Sequence, residues 1–228
     1  MLNMMRLDCF GMKSFWWRIF LRSLIPLALI LTEPLFIIPL MAFFLQDSMF
    51  YTFVTEEKGK LNHLYMTLPV NRKIIVRARF VLVLIGLAIG ILLGAGVTLA
   101  SSALLYGRTL LSVYTFNPDG NTLLLLICVS ILVCGIINLP SLPLLLKLGY
   151  SKGKFIGFYL PSFGMFALAM ATILAANHVE AFGEWILSAL TWALGNVLQT
   201  SLLLLLTAAL VFGASYVLSQ RVYAKREF

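Results

Sequence analysis

The stretch TEEKGKLNHLYMTLPVNRKIIVRARF, residues 55–80, decides how this chain is arranged, because it is a charged segment between long apolar ones. Over the whole chain of 228 residues, 61% of the residues are hydrophobic and only 11% are charged, and the mean hydropathy is +0.98. A soluble domain of this length does not bury so large an apolar share of its side chains. The composition therefore predicts a membrane protein in which lipid is the solvent for much of the surface.

Four apolar runs are long enough to cross a bilayer as helices, which takes about 20 residues each. They cover residues 81–105, 123–146, 155–176 and 194–218. A further mostly apolar stretch, residues 23–54, is long enough for one generous span or two short ones. The fold class predicted from these runs is an all-α polytopic membrane protein.

The cations set the orientation, because Lys and Arg collect in the short cytoplasmic loops of membrane proteins. Of the 17 Lys and Arg residues, all but Arg108 fall in four segments. These segments are 1–22, 55–80, 147–154 and 219–228. The last three are separated by pairs of spans and so face the same side, which predicts that the loops around 106–120 and 177–190 lie outside.

Placing the N-terminal cations inside as well requires two crossings before residue 55. The predicted arms are residues 15–31 and 35–54, with a turn at Thr32-Glu33-Pro34, where proline favours a break. Asp47 lies in the second arm and is costly there unless it faces a partner or water. We therefore predict one transmembrane domain, 1–228, with six spans and both termini in the cytoplasm. Five spans with a tilted first helix is the alternative.

Two surface helices are also predicted. Residues 4–20 carry several aromatic residues beside Lys13 and Arg18, as an amphipathic segment on the membrane surface does, although they could equally begin the first span. Residues 181–186, with Phe182 and Trp185, predict a short helix on the outer interface. Inside the third predicted span, Gly86, Gly90 and Gly94 recur at four-residue spacing, which lets two helices approach closely, and packing within the chain is the favoured interpretation.

Segment 55–80 has a pattern of its own. Thr55 is a plausible N-cap, and apolar residues follow at helical spacing in positions 61, 64, 65 and 68. Pro69 then ends that helix, and Asn71 can cap a second helix that enters the membrane. The pattern predicts a short amphipathic helix, a proline elbow and a basic collar, through which a push on the short helix would move the long one. An ordinary basic cytoplasmic loop is the alternative.

This segment resembles the cytoplasmic signature of permease subunits of type-two ABC (ATP-binding cassette) exporters. An acidic residue, a Lys/Gly turn, a Leu-Pro pair, a basic residue and an Ile/Val run that leads into another cation follow in the same order. The residues that carry the resemblance are Glu56, Glu57, Lys58, Gly59, Leu68, Pro69, Val70, Arg72, Ile75, Val76, Arg79 and Phe80. The rest of the chain is similar only in its layout of spans, and its first two spans are joined by an unusually short outside loop.

The resemblance implies that this chain is the membrane subunit of a bacterial exporter in the cell membrane, driven by a separate ATPase that binds the ATP. It implies a second permease half, identical or not. The implied contacts with the ATPase are Glu56, Glu57, Lys58, Gly59, Leu61, Leu64, Leu68, Pro69 and Arg72, with Lys147, Lys152 and Lys154 as a second candidate set. The polar residues Asn196, Gln199 and Thr200 of the last span either line a pathway or bond across helices.

Chemistry within the chain is not expected. The nearest approach to a phosphate-binding loop, which requires G-x-x-x-x-G-K-[ST], lies between Gly149 and Phe155, and it lacks both the spacing and the hydroxyl. His63 and His178 fall on opposite predicted faces, so no zinc site is predicted. No cofactor, enzymatic activity or nucleic-acid partner is therefore expected. A stand-alone secondary carrier or channel is the alternative function, and an intramembrane enzyme lacks a catalytic pair.

Overall fold

The computed structural model describes residues 2–27, 36–59, 72–105 and 119–225, and within these ranges the chain is helical without a strand. The helices are α1 (Leu2–Gly11), α2 (Trp16–Leu24), α3 (Ile37–Met49), α4 (Tyr51–Gly59), α5 (Arg72–Leu105), α6 (Gly120–Leu148), α7 (Tyr150–Lys154), α8 (Leu160–His178), α9 (Glu180–Gly195) and α10 (Val197–Ala224). A 3₁₀ turn at Met12–Phe15 joins α1 to α2, and a π-helical turn at Phe155–Tyr159 joins α7 to α8.

Among the described residues, five stretches are long and apolar enough to cross a membrane. They are Ile37–Glu57, Lys73–Ser102, Gly120–Leu148, Tyr150–His178 and Val197–Ala224. They correspond to the second to sixth predicted spans, so the all-α multi-pass class is confirmed. The predicted first arm contains α2, but its end and the predicted turn at Glu33 lie outside the described residues. Six spans and the cytoplasmic placement of both termini therefore stay predictions.

The α3–α5 seam depends on glycine. A methyl group added to Gly90 would lie 2.6 Å from Ala42 Cα, and one added to Gly94 would lie 2.8 Å from Ile38 Cα. The two helices therefore approach almost backbone to backbone, which only a residue without a side chain allows. The predicted packing of these glycines within the chain is confirmed.

A second seam joins α6 to α10, and it is closed by small and polar groups. The Ser215 hydroxyl donates to the Asn138 carbonyl at 2.9 Å, and Gly135 faces the ring of Phe212. Cys128 and Cys134 are buried as free thiols, as expected for small hydrophobic residues within a span. Spans four and six therefore pack side by side in parallel, as the single crossing between them, the fifth span, requires.

Helix α6 runs through Pro140 and Pro143 without a break. The chain instead turns at Gly149, whose φ of 78° lies in the left-handed region that glycine adopts freely. After this turn the Ser141 hydroxyl donates to the Gly157 carbonyl at 2.6 Å. That carbonyl would accept from residue 161 in an α-helix, but Pro161 has no N–H to donate. The Ser141 hydroxyl also reaches the Ile137 carbonyl of its own helix, so its proton is shared between that carbonyl and the one that Pro161 leaves without a donor.

Beyond Pro161 the chain leaves the bundle. None of the residues of α8 or α9 is buried within the chain, and we call Leu160–Gly195 the outer arm. The predicted surface helix at 181–186 is only the beginning of α9, which runs on to Gly195. The last span begins at Val197, three residues after the approximate predicted start, because the non-helical backbone at Asn196 separates α9 from α10.

Candidate functional site

Helix α4 leads directly into segment 55–80 and is held at its base by a buried ion pair. Arg79 Nη1 on α5 lies 2.6 Å from Glu56 Oε2, and their side chains are only 1% and 6% exposed. The Arg79 guanidinium also lies over the ring of Phe53, with 4.5 Å between its central carbon and the ring centroid. One charge pair and one cation–π contact therefore hold α4 against the third span.

The neighbouring carboxylate makes a different connection. Glu57 Oε2 accepts the backbone N–H groups of Tyr150 and Ser151 at 2.9 and 3.1 Å, and Glu57 Oε1 accepts the Ser151 hydroxyl. The first N–H groups of a helix have no partner within it, and an anion near a helix N-terminus is favoured by the helix dipole. Glu57 therefore caps the start of the fifth span from α4.

A third acidic residue, Asp47, joins the N-terminal segment to the fifth span. Arg22 Nη1 donates to Asp47 Oδ2 at 2.6 Å, and Lys154 Nζ lies 2.7 Å from Asp47 Oδ1. The Lys154 ammonium also donates to the Tyr150 hydroxyl at 3.1 Å and lies beside the ring of Tyr51. Asp47 thus has the partners that an acid within an apolar run requires.

The N-terminal segment lies against this cluster. Met12 is buried, and the ring of Phe15 stacks on Tyr51 with 4.9 Å between centroids. Contacts then run in opposite directions along the two segments, since Phe15 meets Tyr51 and Arg22 meets Asp47, as in two arms of a hairpin. Phe10, Trp17 and Phe20 are exposed, which agrees both with an amphipathic surface segment and with the start of a first span.

Some residues at the start of segment 55–80 have positions that differ from those predicted. Thr55 lies inside α4 and donates to the Thr52 carbonyl, so the prediction that it is an N-cap is wrong. Helix formation continues from Tyr51 because Phe53 and Val54 extend the buried face of α3. Glu56 is directed into the chain, which does not fit the prediction that its side chain contacts a partner, whereas Glu57 is exposed.

The remaining predicted contacts are only partly covered. Lys58 and Gly59 end α4 and Arg72 begins α5. The centre of the predicted contact lies outside the described residues and stays a prediction. It consists of Leu61, Leu64, Leu68 and Pro69. In the second candidate set, Lys147 and Lys152 are exposed, but Lys154 is buried against Asp47 and Tyr150, so the prediction that Lys154 faces a partner does not fit its position.

The polar residues near the start of the last span bond locally. Asn196 Nδ2 donates to the Trp192 carbonyl at 3.2 Å, and the Thr200 hydroxyl donates to the Asn196 carbonyl at 2.9 Å. Gln199 is exposed. For Asn196 and Thr200 the bonds join consecutive helices at the α9–α10 break rather than distant spans, and a role in lining a pathway stays a prediction.

Sequence reasoning did not predict the pairing of Glu56 with Arg79, or of Asp47 with Lys154. The signal that could have found them is a single charge inside a largely apolar stretch: Arg79 lies between Ala78 and Phe80, and Asp47 lies two residues after the apolar run that ends at Leu45. Charges at such positions are rare in spans and are paired where they occur.

A comparison with known protein families matches residues 3–224 to the family described as ABC-2 family transporter protein. The chain belongs to this family. No curated protein and no solved structure is similar enough to add to that match. An ABC-2 family chain is a transport component of the membrane, and the five apolar spans agree with a multi-pass membrane location. The resemblance seen in segment 55–80 thus extends over nearly the whole chain.

Proposed function

We propose that this chain is the membrane-spanning half of an ATP-driven exporter of the bacterial plasma membrane, moved by a separate ATPase subunit. The observation that carries the proposal is the family match, which spans residues 3–224. ABC-2 permeases in general work with an ABC ATPase that binds the nucleotide. In this proposal ATP binding and hydrolysis in the partner switch the membrane domain between two conformations.

The ATPase docks on segment 55–80 in this proposal. Support comes from the three acidic residues Asp47, Glu56 and Glu57, which fasten the base of that segment to three other parts of the chain. A docking segment with a loose base would absorb a push instead of passing it on. Glu57 and Lys152 are both exposed beside this base and are the described residues that we assign to the partner surface.

A second permease half completes the transporter. The outer arm leaves large apolar side chains exposed, among them Phe163, Phe166 and Trp185. Lipid or a second half covers such a surface in a membrane, and the proposal assigns part of it to the second half. With segment 55–80 in the cytoplasm, the proposal also places the N-terminal segment, residues 1–22, on the cytoplasmic side.

The orientation has a simple test, because Cys9 is exposed while Cys128 and Cys134 are buried. A maleimide that does not cross membranes should label Cys9 in inside-out vesicles and not in intact cells. Labelling in intact cells would place the N-terminal segment, and segment 55–80 beside it, on the outside.

The partnership is tested by affinity purification of the tagged chain from its native membranes in mild detergent. We expect an ATPase subunit to be retained, and we expect Leu61→Asp/Leu64→Asp to lose it without loss of the permease itself. The matched control is Leu198→Asn, an exposed leucine near the start of the last predicted span. If no nucleotide-hydrolysing protein is retained by the unmodified chain, the stand-alone carrier becomes the better description.

A further inference from the structure

The Glu56–Arg79 pair closes the base of the proposed docking segment. Glu56 lies within α4 at the end of the second predicted span, and Arg79 lies on α5 at the beginning of the third, with residues 57–78 between them. The two charges therefore turn this part of the chain into a closed loop. Whatever moves the loop as a whole moves both helices.

The chemistry of this closure is unusual for a simple fastening. An apolar pair of similar volume holds two helices together as well as a buried ion pair does, because the charges lose their hydration on burial. A buried pair differs in one respect: if the helices separate, each charge is left without its counterion in an apolar surrounding. Such a contact strongly opposes relative movement of the two helices.

We propose that Glu56 and Arg79 are positioning residues that make α4 and the inner part of α5 one rigid body, so that movement of the docking segment is transmitted to the third span. This rests on the proposed function. Phe53, stacked beneath the guanidinium, fixes the direction of Arg79 on the same face. The glycine seam between α3 and α5 carries the movement further toward the outer side.

The adjacent carboxylate is a weaker link to another span. Glu57 is exposed, and it reaches the start of the fifth span through hydrogen bonds to Tyr150 and Ser151 rather than through a buried charge. Successive residues of a helix point about 100° apart, which is why two neighbouring glutamates can reach two different spans. The third span is therefore held rigidly and the fifth span is held reversibly.

The test uses the complex of permease and ATPase in lipid nanodiscs, in a background with the three native cysteines replaced by alanine. Spin labels at Ser102 and Leu198, toward the outer ends of the third and last spans, report their distance with and without ATP and vanadate. With Glu56 and Arg79 unchanged, we expect ATP and vanadate to change the distance between the two labels. In Glu56→Gln/Arg79→Met we expect the change to be lost, while the amount of bound ATPase and the melting temperature are kept. Arg77→Met, an exposed cation on the same helix, is the matched control and should retain the change.

A second variant tests the same contact if Glu56→Gln/Arg79→Met folds poorly. In Glu56→Cys/Arg79→Cys, with fluorescent reporters placed through a separate non-cysteine chemistry, a short reducible cross-linker replaces the ion pair. We expect the ATP-driven change to be absent before cross-linking, to return on cross-linking and to disappear on reduction. The proposal that the Glu56–Arg79 pair makes α4 and α5 one rigid body is overturned by either of two results. The first is an ATP-driven distance change that is unaffected by loss of the pair, and the second is one that the cross-link abolishes.

The two proposals fail in different ways. If the unmodified chain retains no ATPase, the proposed function fails, and the proposed role of the Glu56–Arg79 pair fails with it. If the ATPase is retained and ATP changes the distance in the unmodified complex, but Glu56→Gln/Arg79→Met shows the same change, only the proposed role of the Glu56–Arg79 pair fails.

Discussion

The base of segment 55–80 and the outer arm are built in opposite ways. In the span Ile37–Glu57, 72% of its most apolar stretch is buried inside the chain, whereas in Tyr150–His178 the share is 6%. The first region contains buried charges and close backbone contacts, and the second has large apolar side chains directed away from the chain. Because lipid is as apolar as leucine, exposure of the arm carries little penalty, whereas an unpaired charge in the base does. The comparison shows that burial and close contacts within the chain are concentrated near the base of segment 55–80, where we propose that the ATPase acts.

The sharpest way to break this comparison is to remove one half of the Glu56–Arg79 pair. Arg79→Ala leaves the buried Glu56 carboxylate without its counterion, and truncating one partner of a buried pair costs about 3–5 kcal/mol. We expect most of the protein to be lost or to unfold early when SDS is titrated into mixed micelles. Glu56→Gln/Arg79→Met should recover much of the stability, since no charge is left unpaired. A double variant as unstable as Arg79→Ala would contradict this account of the pair.

The glycine seam sharpens the comparison within one helix. Gly90→Ala places a methyl group against the backbone of Ala42, and overpacking of this kind costs about 1–3 kcal/mol. Gly96 is six residues further along α5, which is not a whole number of turns, so it faces outward and has nothing within 4 Å of an added methyl group. We expect Gly96→Ala to leave the free energy of unfolding unchanged or slightly raised, because alanine favours helix. Equal losses from both variants would show that the α3–α5 contact is looser than the structure has it.

How far the sequence predicts this molecule depends on the kind of signal. The later spans were predictable because apolar runs of helical length leave a chain no other arrangement in lipid, and the glycine spacing already indicated close packing. Their ends were not, because capping depends on partners far away in sequence. The apparent N-cap at Thr55 is inside a helix, and the true cap of the fifth span is Glu57, more than 90 residues earlier.

The candidate site was predictable in place but not in detail. The resemblance located segment 55–80, and the charge distribution predicted its side of the membrane. Which of two adjacent glutamates is exposed and which is buried could not be read from the sequence. Their side chains point about 100° apart around the helix, and where each one points depends on the residue at which α4 begins. Lys154 was grouped with the exposed lysines for the same reason, although Asp47 holds it inside.

A smaller effect is expected at Glu57, which separates the two adjacent glutamates experimentally. Glu57→Gln retains an oxygen that can accept from the N–H groups of Tyr150 and Ser151, but it removes the charge at the helix N-terminus, worth about 0.3–1 kcal/mol at an exposed position. The loss should decrease in high salt, because exposed charges are screened. A salt-independent loss as large as that of Arg79→Ala would mean that Glu57 is also buried in the working protein.

The smallest effect is expected in the outer arm, and it has an internal control on the same span. Phe158 is 1% exposed and packs against Phe43 and Phe50, so Phe158→Ala should cost about 3–5 kcal/mol. Phe163, a little more than one turn later, is 69% exposed, and Phe163→Ala should leave the unfolding of the single chain within about 0.5 kcal/mol of the original. If a second permease half covers this part of the arm, Phe163→Ala should instead weaken association of the two halves, as measured by the concentration dependence of energy transfer between labelled copies in vesicles. An unfolding loss equal to that of Phe158→Ala would mean that the arm packs against its own bundle, and the contrast between the two regions would then disappear.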